Sequence, residues 1–232
     1  MTILCIETST SVCSAAICKD GKPIRQCINY EGSNHARLLP LYIEELLALA
    51  REQHLSLDAV ALSEGPGSYT GLRIGTSTAK GLCYGLNIPL IPVPTLQVLC
   101  EAARQHSAIS FQPSDVLIPM IDARRMEVYT SINGETKAVV VENEESLLSS
   151  SEAVFTLSAQ RSIYYFGDGA GKCSKIITNP NWHYIPDIVP EAQYIGKLLA
   201  DGQWPIAENV AYYEPYYLKE FIAAPSHVKG LS

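Results

Sequence analysis

The chain of 232 residues lacks a basic block, a Cys-x-x-Cys pair, closely spaced histidines and any long apolar run. Each absence bears on a class of function. Without a run of eighteen apolar residues, no membrane span is expected. Lys and Arg number 17 against 24 Asp and Glu, for a formal net charge of −7. That argues against a free-standing nucleic-acid binder, because phosphate contacts need a basic footprint. Any RNA role would need a partner to supply positive surface. The histidines, His35, His54, His106, His183 and His227, nowhere fall three to five apart, so no helical metal pair is formed and no metal is expected. Seven cysteines are an odd set, read as reduced and mostly buried thiols. The N-terminus opens directly on a strand with no basic n-region, so secretion is not expected and a cytoplasmic location is. No Ser/His/Asp set or Cys/His signature can be assigned, so no catalytic residue is named.

What is present is 47% hydrophobic and 18% charged, enough for a buried core. The most informative stretch is Glu64-Gly-Pro-Gly-Ser-Tyr-Thr-Gly-Leu-Arg-Ile-Gly75. An apolar run, Ala59 to Leu62, leads in, and a helix-compatible stretch, Ser68 to Leu86, leads out. The glycines therefore sit where a strand hands over to a helix. Gly65 and Gly67 can take backbone angles closed to other residues, and Ser68 can cap the helix. Free N–H groups at such a start attract anions, although a tight turn without a ligand fits the pattern equally well. Three common motifs fail. The dinucleotide fingerprint needs glycine where Thr70 stands. The Walker loop fails because Gly171-Lys172 is followed by Cys173 and preceded by Phe166 in the first glycine's place. The nucleophile elbow fails because Pro66 and Thr70 flank Ser68.

The pattern predicts strands at Thr2–Thr8, Val12–Cys18 and Ile24–Tyr30, with Asp20-Gly21 as a hairpin turn. A helix capped by Ser33 or Asn34 follows over about His35–Gln53. Then come a strand at Ala59–Leu62, a helix at Ser68–Leu86, a strand at Leu90–Val93 and a helix from Thr95 to about His106. The second half repeats the opening: Asp115–Asp122, Met126–Ile132, the turn Asn133-Gly134, Thr136–Glu142. A helix at Glu144–Gln160, a strand at Ile163–Phe166 and a helix at Pro190–Asp201 complete it. The recurrence predicts an α/β fold of two duplicated lobes, 1–107 and 114–232, joined near Ser107–Ser114, with the last helix or tail packing back on the first lobe.

Two sets of residues are singled out. Glu7 and Asp122, each at a strand end, could hold a metal–nucleotide complex between lobes, or simply cap turns. Thr8 and Ser9 could cradle a phosphate or bond to backbone. The helix from His35 is broadly apolar, with Leu38, Leu39, Tyr42, Ile43, Leu46 and Leu47 on one side and Leu41 stranded in the charged face. The next helix carries Gly71 and Gly75, four apart and in line with Ala79; each glycine costs about 1 kcal/mol relative to alanine. That strip either packs inside the chain or receives a helix of another subunit.

Together these residues resemble the TsaB family of the bacterial tRNA threonylcarbamoyladenosine machinery. The resemblance runs over nearly the whole chain. It is carried by Ile6-Glu7-Thr8-Ser9-Thr10, the Glu64–Gly75 run, Ile121-Asp122-Ala123-Arg124, Glu127-Val128-Tyr129 and Glu214-Pro-Tyr-Tyr-Leu218. Glu7 departs from the aspartate of many relatives. The resemblance implies the acetate kinase/sugar kinase/Hsp70/actin (ribonuclease H-like) superfamily of folds. It implies a non-catalytic scaffold, without cofactor, that pairs with a TsaD-type transferase and a TsaE-type ATPase, is a homodimer when alone, and reaches tRNA only through partners. The partner interface would use Leu38, Leu41, Tyr42, Gly71, Gly75 and Ala79. The lobe cleft, with Glu7, Thr8, Ser9, Gly65, Gly67, Ser68 and Asp122, would be a vestigial nucleotide site. The TsaD sister family carries a His-x-x-x-His metal pair where this chain has Thr95 and Leu99. The alternative is a small-molecule kinase or ATPase of the same superfamily, using Glu7 and Asp122.

Overall fold

The first half folds as β1 (Thr2–Glu7), β2 (Cys13–Lys19), β3 (Lys22–Asn29), α1 (His35–Glu52), β4 (Ala59–Gly65), α2 (Tyr69–Leu86), β5 (Leu90–Pro94) and α3 (Thr95–Arg104). The second half is β6 (Val116–Asp122), β7 (Glu127–Ile132), β8 (Glu135–Val140), α4 (Glu144–Leu148), β9 (Ile163–Phe166), α5 (Ala170–Cys173), β10 (Trp182–Ile185) and α6 (Ala192–Ala200), followed by a 3-10 turn, Val210–Tyr212. This computed structural model describes residues 1–32, 34–106, 109–132, 134–148, 161–200, 202 and 204–219. Ser33, Ser107, Asn133, residues 149–160 of the helix expected over Glu144–Gln160, Asp201 and His227 lie outside the described residues.

The strands form two sheets with one plan. The first has the order β3-β2-β1-β4-β5, and the second, read from its β8 edge, β8-β7-β6-β9-β10. In each, the opening strand is central. It runs antiparallel to the hairpin that follows and parallel to the fourth strand. A central strand is covered on both faces, so β1 is buried throughout and reads as a continuous apolar run. Its alternate side chains still serve different faces. Leu4 and Ile6 pack with Leu39, Ile43 and Leu46 of α1 and Ala79 of α2, while Ile3 and Cys5 pack with Val98 of α3 and Ile195 and Leu199 of α6.

The two halves exchange helices. α6, from the second half, closes on β1, β2 and β3. α3, from the first half, lays Leu96, Leu99 and Ala102 against Ile121, Phe166 and Ile185 of the second. Gly196 permits the first contact, since a Cβ there would overlap the Cys18 side chain. Among the described residues, no helix is long and apolar enough to cross a membrane.

Ser68 caps α2, its Oγ accepting from the Gly71 N–H at 3.3 Å. Asn34 occupies the cap position of α1 but makes no side-chain capping bond. β10 is absent from the sequence pattern: it is a four-residue edge strand whose two middle residues are exposed, so it has neither length nor a clean alternation.

The glycine strip of α2 faces inward. Gly71, Gly75 and Ala79 are all buried, against the end of β1. A Cβ at 71 would overlap the Thr8 carbonyl oxygen, and one at 75 would overlap Thr8 Oγ1. The strip is filled by the chain's own Thr8 and Ile6, which corrects the expectation that it receives another helix. Gly81 and Gly85 instead meet nothing within 4 Å, on the outer face beside Tyr84, which is 89% exposed. On α1, Leu38 and Tyr42 pack partly against the core, and Leu41 points outward.

These placements predict opposite signs for two changes in one helix. Gly75→Leu overpacks the contact with Thr8 and should cost about 1–3 kcal/mol or more in urea unfolding. Gly81→Ala adds a methyl in open space and should stabilise by about 0.5–1 kcal/mol. A neutral Gly75→Leu would place the strip at the surface after all.

Candidate functional site

A cleft of about 900 Å³ lies between the lobes. One wall is the loop after β1 (Ser9, Thr10, Ser11) with Gly67, Ser68 and the first turn of α2. The other is the turn after β6, with Asp122, Arg124 and Arg125, and the turn after β9, with Asp168.

The first wall is made by close backbone approach. Gly65 has φ +122°, and a Cβ there would overlap the Tyr216 carbonyl oxygen; one on Gly67 would overlap that of Ser9. The Ser68 N–H donates to the Ser9 carbonyl at 2.6 Å, and Thr8 Oγ1 donates to the Gly71 carbonyl at 2.8 Å. Thr8 is thus a clamp on α2, buried behind the cleft rather than in it. The Gly65 N–H donates to Thr95 Oγ1 at 3.1 Å, which gives Thr95 a structural role, and Leu99 is fully buried core.

Glu7 does not reach the cleft. It is fully buried, with Oε1 accepting from the Ser9 N–H at 2.6 Å and from Ser9 Oγ, and Oε2 accepting from Ser63 Oγ. Burial raises its pKa; the Ser63 and Ser9 hydrogen bonds oppose this, and the nearby Asp168 charge adds to it. Asp122 does line the cleft, but Lys172 is ion-paired to its Oδ1, and the Arg124 N–H donates to the same oxygen at 3.1 Å. The structure therefore separates the two acids: one braces the loop after β1, and the other is neutralised by a lysine. Among the described residues, no group of three His, Cys, Asp or Glu side chains could hold a metal ion.

Three features escape the sequence pattern. Asp168 sits in Gly167-Asp168-Gly169 after β9, the counterpart of Gly65-Pro66-Gly67 after β4. Gly167 has φ +107°, and a Cβ there would overlap the Met120 carbonyl oxygen. Applying the duplication to the second strand-to-helix turn would have found it. Burial raises the Asp168 pKa, and its Oδ1 accepts from the Asp122 N–H at 3.0 Å. Lys172 is the second feature. The third is a strap, Tyr213–Lys219, over the cleft. The Tyr216 N–H donates to the Glu64 carbonyl at 2.7 Å, Lys80 Nζ donates to the Tyr213 carbonyl at 3.0 Å, and the Tyr217 ring lies 4.8 Å from that of Tyr69. Lys219 then pairs with Glu127 on the other lobe. No local periodicity marks such an irregular segment. His35, also at the cleft, is held by its Nε2 against the carbonyls of Thr10 (3.0 Å) and Val12 (3.2 Å), so it is structural.

The raised pKa of Glu7 sets a pH dependence. The folded chain holds this proton more tightly than the unfolded one. The stability it contributes is complete below the usual carboxylate value of 4.5 and is lost as pH rises through the folded value. Glu7→Gln keeps the shape and removes the titration. From about pH 5 to about pH 8, the original chain should therefore lose more stability in urea than the variant. Parallel pH profiles would show that Glu7 is ionised at no cost.

Known proteins resemble this chain in sequence and fold. The family model for TsaD, tRNA N6-adenosine threonylcarbamoyltransferase, matches residues 30–172. The Escherichia coli K12 tRNA threonylcarbamoyladenosine biosynthesis protein TsaB is 29% identical over 96% of this chain and 96% of its own length. Its Haemophilus influenzae namesake is 34% identical over 56% of this chain, which spans 53% of that protein. The Bacillus subtilis tRNA N6-adenosine threonylcarbamoyltransferase is 34% identical over 40% of this chain and 32% of its own length. The YeaZ structure from Pseudomonas aeruginosa superposes with a TM-score of 0.67 at 23% identity, covering 94% of this chain and all of that one, and so shows the same fold. With the family model covering more than half of its residues and the TsaB match running end to end, the chain belongs to the TsaB family of TsaD-related proteins.

Proposed function

We propose that this chain is a non-catalytic partner subunit in forming N6-threonylcarbamoyladenosine at position 37 of tRNAs that read codons beginning with adenine. The observation that carries the reading is the pair Thr95 and Leu99. They stand where TsaD-type transferases are expected to carry their metal-binding histidines, and here both are enclosed in the chain's own packing. A TsaD-type subunit would do the transfer and a TsaE-type ATPase would join the assembly. tRNA would be reached through those partners, since a net charge of −7 favours no RNA contact of its own. The setting is the cytoplasm. The enclosure of Glu7 and the Lys172 partner of Asp122 disfavour the kinase or ATPase reading.

The subunit contact in this reading uses the outer faces of α1 and α2, and the same faces join two copies when the partner is absent. Leu41, 56% exposed, Tyr84 and Leu86 supply apolar area, with partly buried Leu38 and Tyr42 behind Leu41. Gly81 and Gly85, open and four apart, take over the close-approach role expected of Gly71 and Gly75.

Leu41→Glu tests this. The side chain is exposed, so stability should change by no more than about 0.5 kcal/mol. A charge placed in an apolar contact should weaken the complex with the TsaD-type subunit by about 1.4 kcal/mol or more, which is tenfold in affinity by isothermal titration. Unchanged affinity would move the contact off α1.

A further inference from the structure

The outer surface of α1 and α2 does not end at the helices. α1 packs over β2 and α2 over β4, on one face of the sheet β3-β2-β1-β4-β5. The chain returns to that face after α6. The Ala207 N–H donates to the Leu90 carbonyl of β5 at 2.9 Å, and Ala207, Val210 and Tyr213 pack against the same core as α1 and α2. β5 is a sheet edge, so this segment flanks α2 on the side away from α1. The face therefore has three parts: α1, α2 and residues 206–212.

The third part displays large apolar side chains on a fixed backbone. Tyr212 is 84% exposed and Ile206 56%. Upstream, Trp204 Nε1 donates to the Leu198 carbonyl at 3.1 Å. Asn209 Oδ1 accepts from the Ala211 N–H at 2.9 Å and caps the 3-10 turn. Immediately after that turn, Lys80 Nζ from α2 donates to the Tyr213 carbonyl. A ring held out in this way gives up little freedom when a partner covers it. Tyrosine is also enriched among the few residues that dominate binding energy.

Charge is sparse over the same region. The exposed stripe of α2 runs through Thr70, Arg73, Ser77, Gly81, Tyr84 and Gly85. Arg73 is the one charge among them, and its guanidinium lies over the Tyr69 ring, 5.1 Å from the centroid. Between Trp204 and Tyr213 the one charged residue is Glu208. The outward face of α1, by contrast, carries Arg37, Glu44, Glu45, Arg51 and Glu52 around Leu41. Charge depletion with exposed tyrosine marks the core of a subunit contact, and charge marks its rim. The centre of the face thus lies between α2 and the 3-10 turn, with α1 toward the edge.

We propose that residues 206–212 complete the docking face for the TsaD-type subunit, with Tyr212 as its aromatic anchor. This deepens the partner-subunit reading and rests on it. The matching surface is apolar and weakly charged, with a ridge that fits over Gly81 and Gly85 and a slot for one ring beside it.

The test is isothermal titration of the full chain with the TsaD-type subunit, for the original chain, Tyr212→Ser, Tyr212→Phe and Val140→Ser. Val140 is 55% exposed on the β8 edge of the other lobe and serves as the control. Tyr212→Ser should weaken binding about tenfold, while Tyr212→Phe and the control should each change it less than about twofold. Unchanged binding by Tyr212→Ser, with binding weakened by Leu41→Glu, overturns this inference and leaves the partner reading standing. No binding by the original chain defeats the partner reading itself. Self-association is followed in parallel by sedimentation. A variant that loses self-association and keeps its affinity for the TsaD-type subunit would assign the segment to a second copy and overturn the proposal. Should Tyr212→Ser fail to fold, Ala211→Arg replaces it, since Ala211 is exposed and only its backbone is bonded. A tenfold loss there supports the proposal, and unchanged affinity overturns it.

Discussion

The close approach of the loop after β1 to the first two turns of α2 is the contact on which the rest of this molecule depends. Gly67, Gly71 and Gly75 each leave out a Cβ that would overlap Ser9 or Thr8. Their absence lets Ser68 N–H reach the Ser9 carbonyl and Thr8 Oγ1 reach the Gly71 carbonyl. Ser9 is thereby placed to bond Glu7, and Glu7 to take Ser63 from β4. A buried carboxyl is tolerated because its oxygens are occupied by hydroxyl and amide donors. The chain of contacts fixes the central strands, the helix start and one wall of the cleft together.

The second lobe repeats the plan with different chemistry. Gly167 and Gly169 make the same kind of approach, to the end of β6, and the residue between them is an aspartate rather than a proline. Where the first lobe buries its strand-end acid, the second exposes Asp122 and answers it with Lys172. The exchange of α3 and α6, with the strap from Tyr213 to Lys219, joins the lobes that carry these two unlike walls. In both lobes the strand-end acid is engaged within the chain, Glu7 by Ser9 and Ser63 and Asp122 by Lys172.

Much of this was legible in the sequence, for particular reasons. The strands Thr2–Glu7 and Ala59–Gly65 and the helices α1 and α2 have strong periods and clear turn residues, and their bounds shift by only a few positions. The duplication was visible because acid, hairpin and crossover recur in order. The direction of the Gly71/Gly75 strip was not visible: a four-residue spacing says which residues share a face, not what that face meets. Leu41 illustrates the converse, since one apolar residue on a charged face is easily discounted, yet it is exposed, as are the open glycines of α2. The pairings of Asp122 with Lys172 and of Glu127 with Lys219 join residues far apart in the sequence, which no local pattern reveals.

The central claim is that this chain enables a transfer it does not perform. The most direct measurement is threonylcarbamoyl transfer from its adenylate to tRNA, followed for the TsaD-type subunit alone, for this chain alone, and for the two with the TsaE-type ATPase. The account predicts no transfer by this chain alone and transfer that requires it in the mixture. Product formed by this chain alone, or undiminished activity when it is left out, would contradict the account.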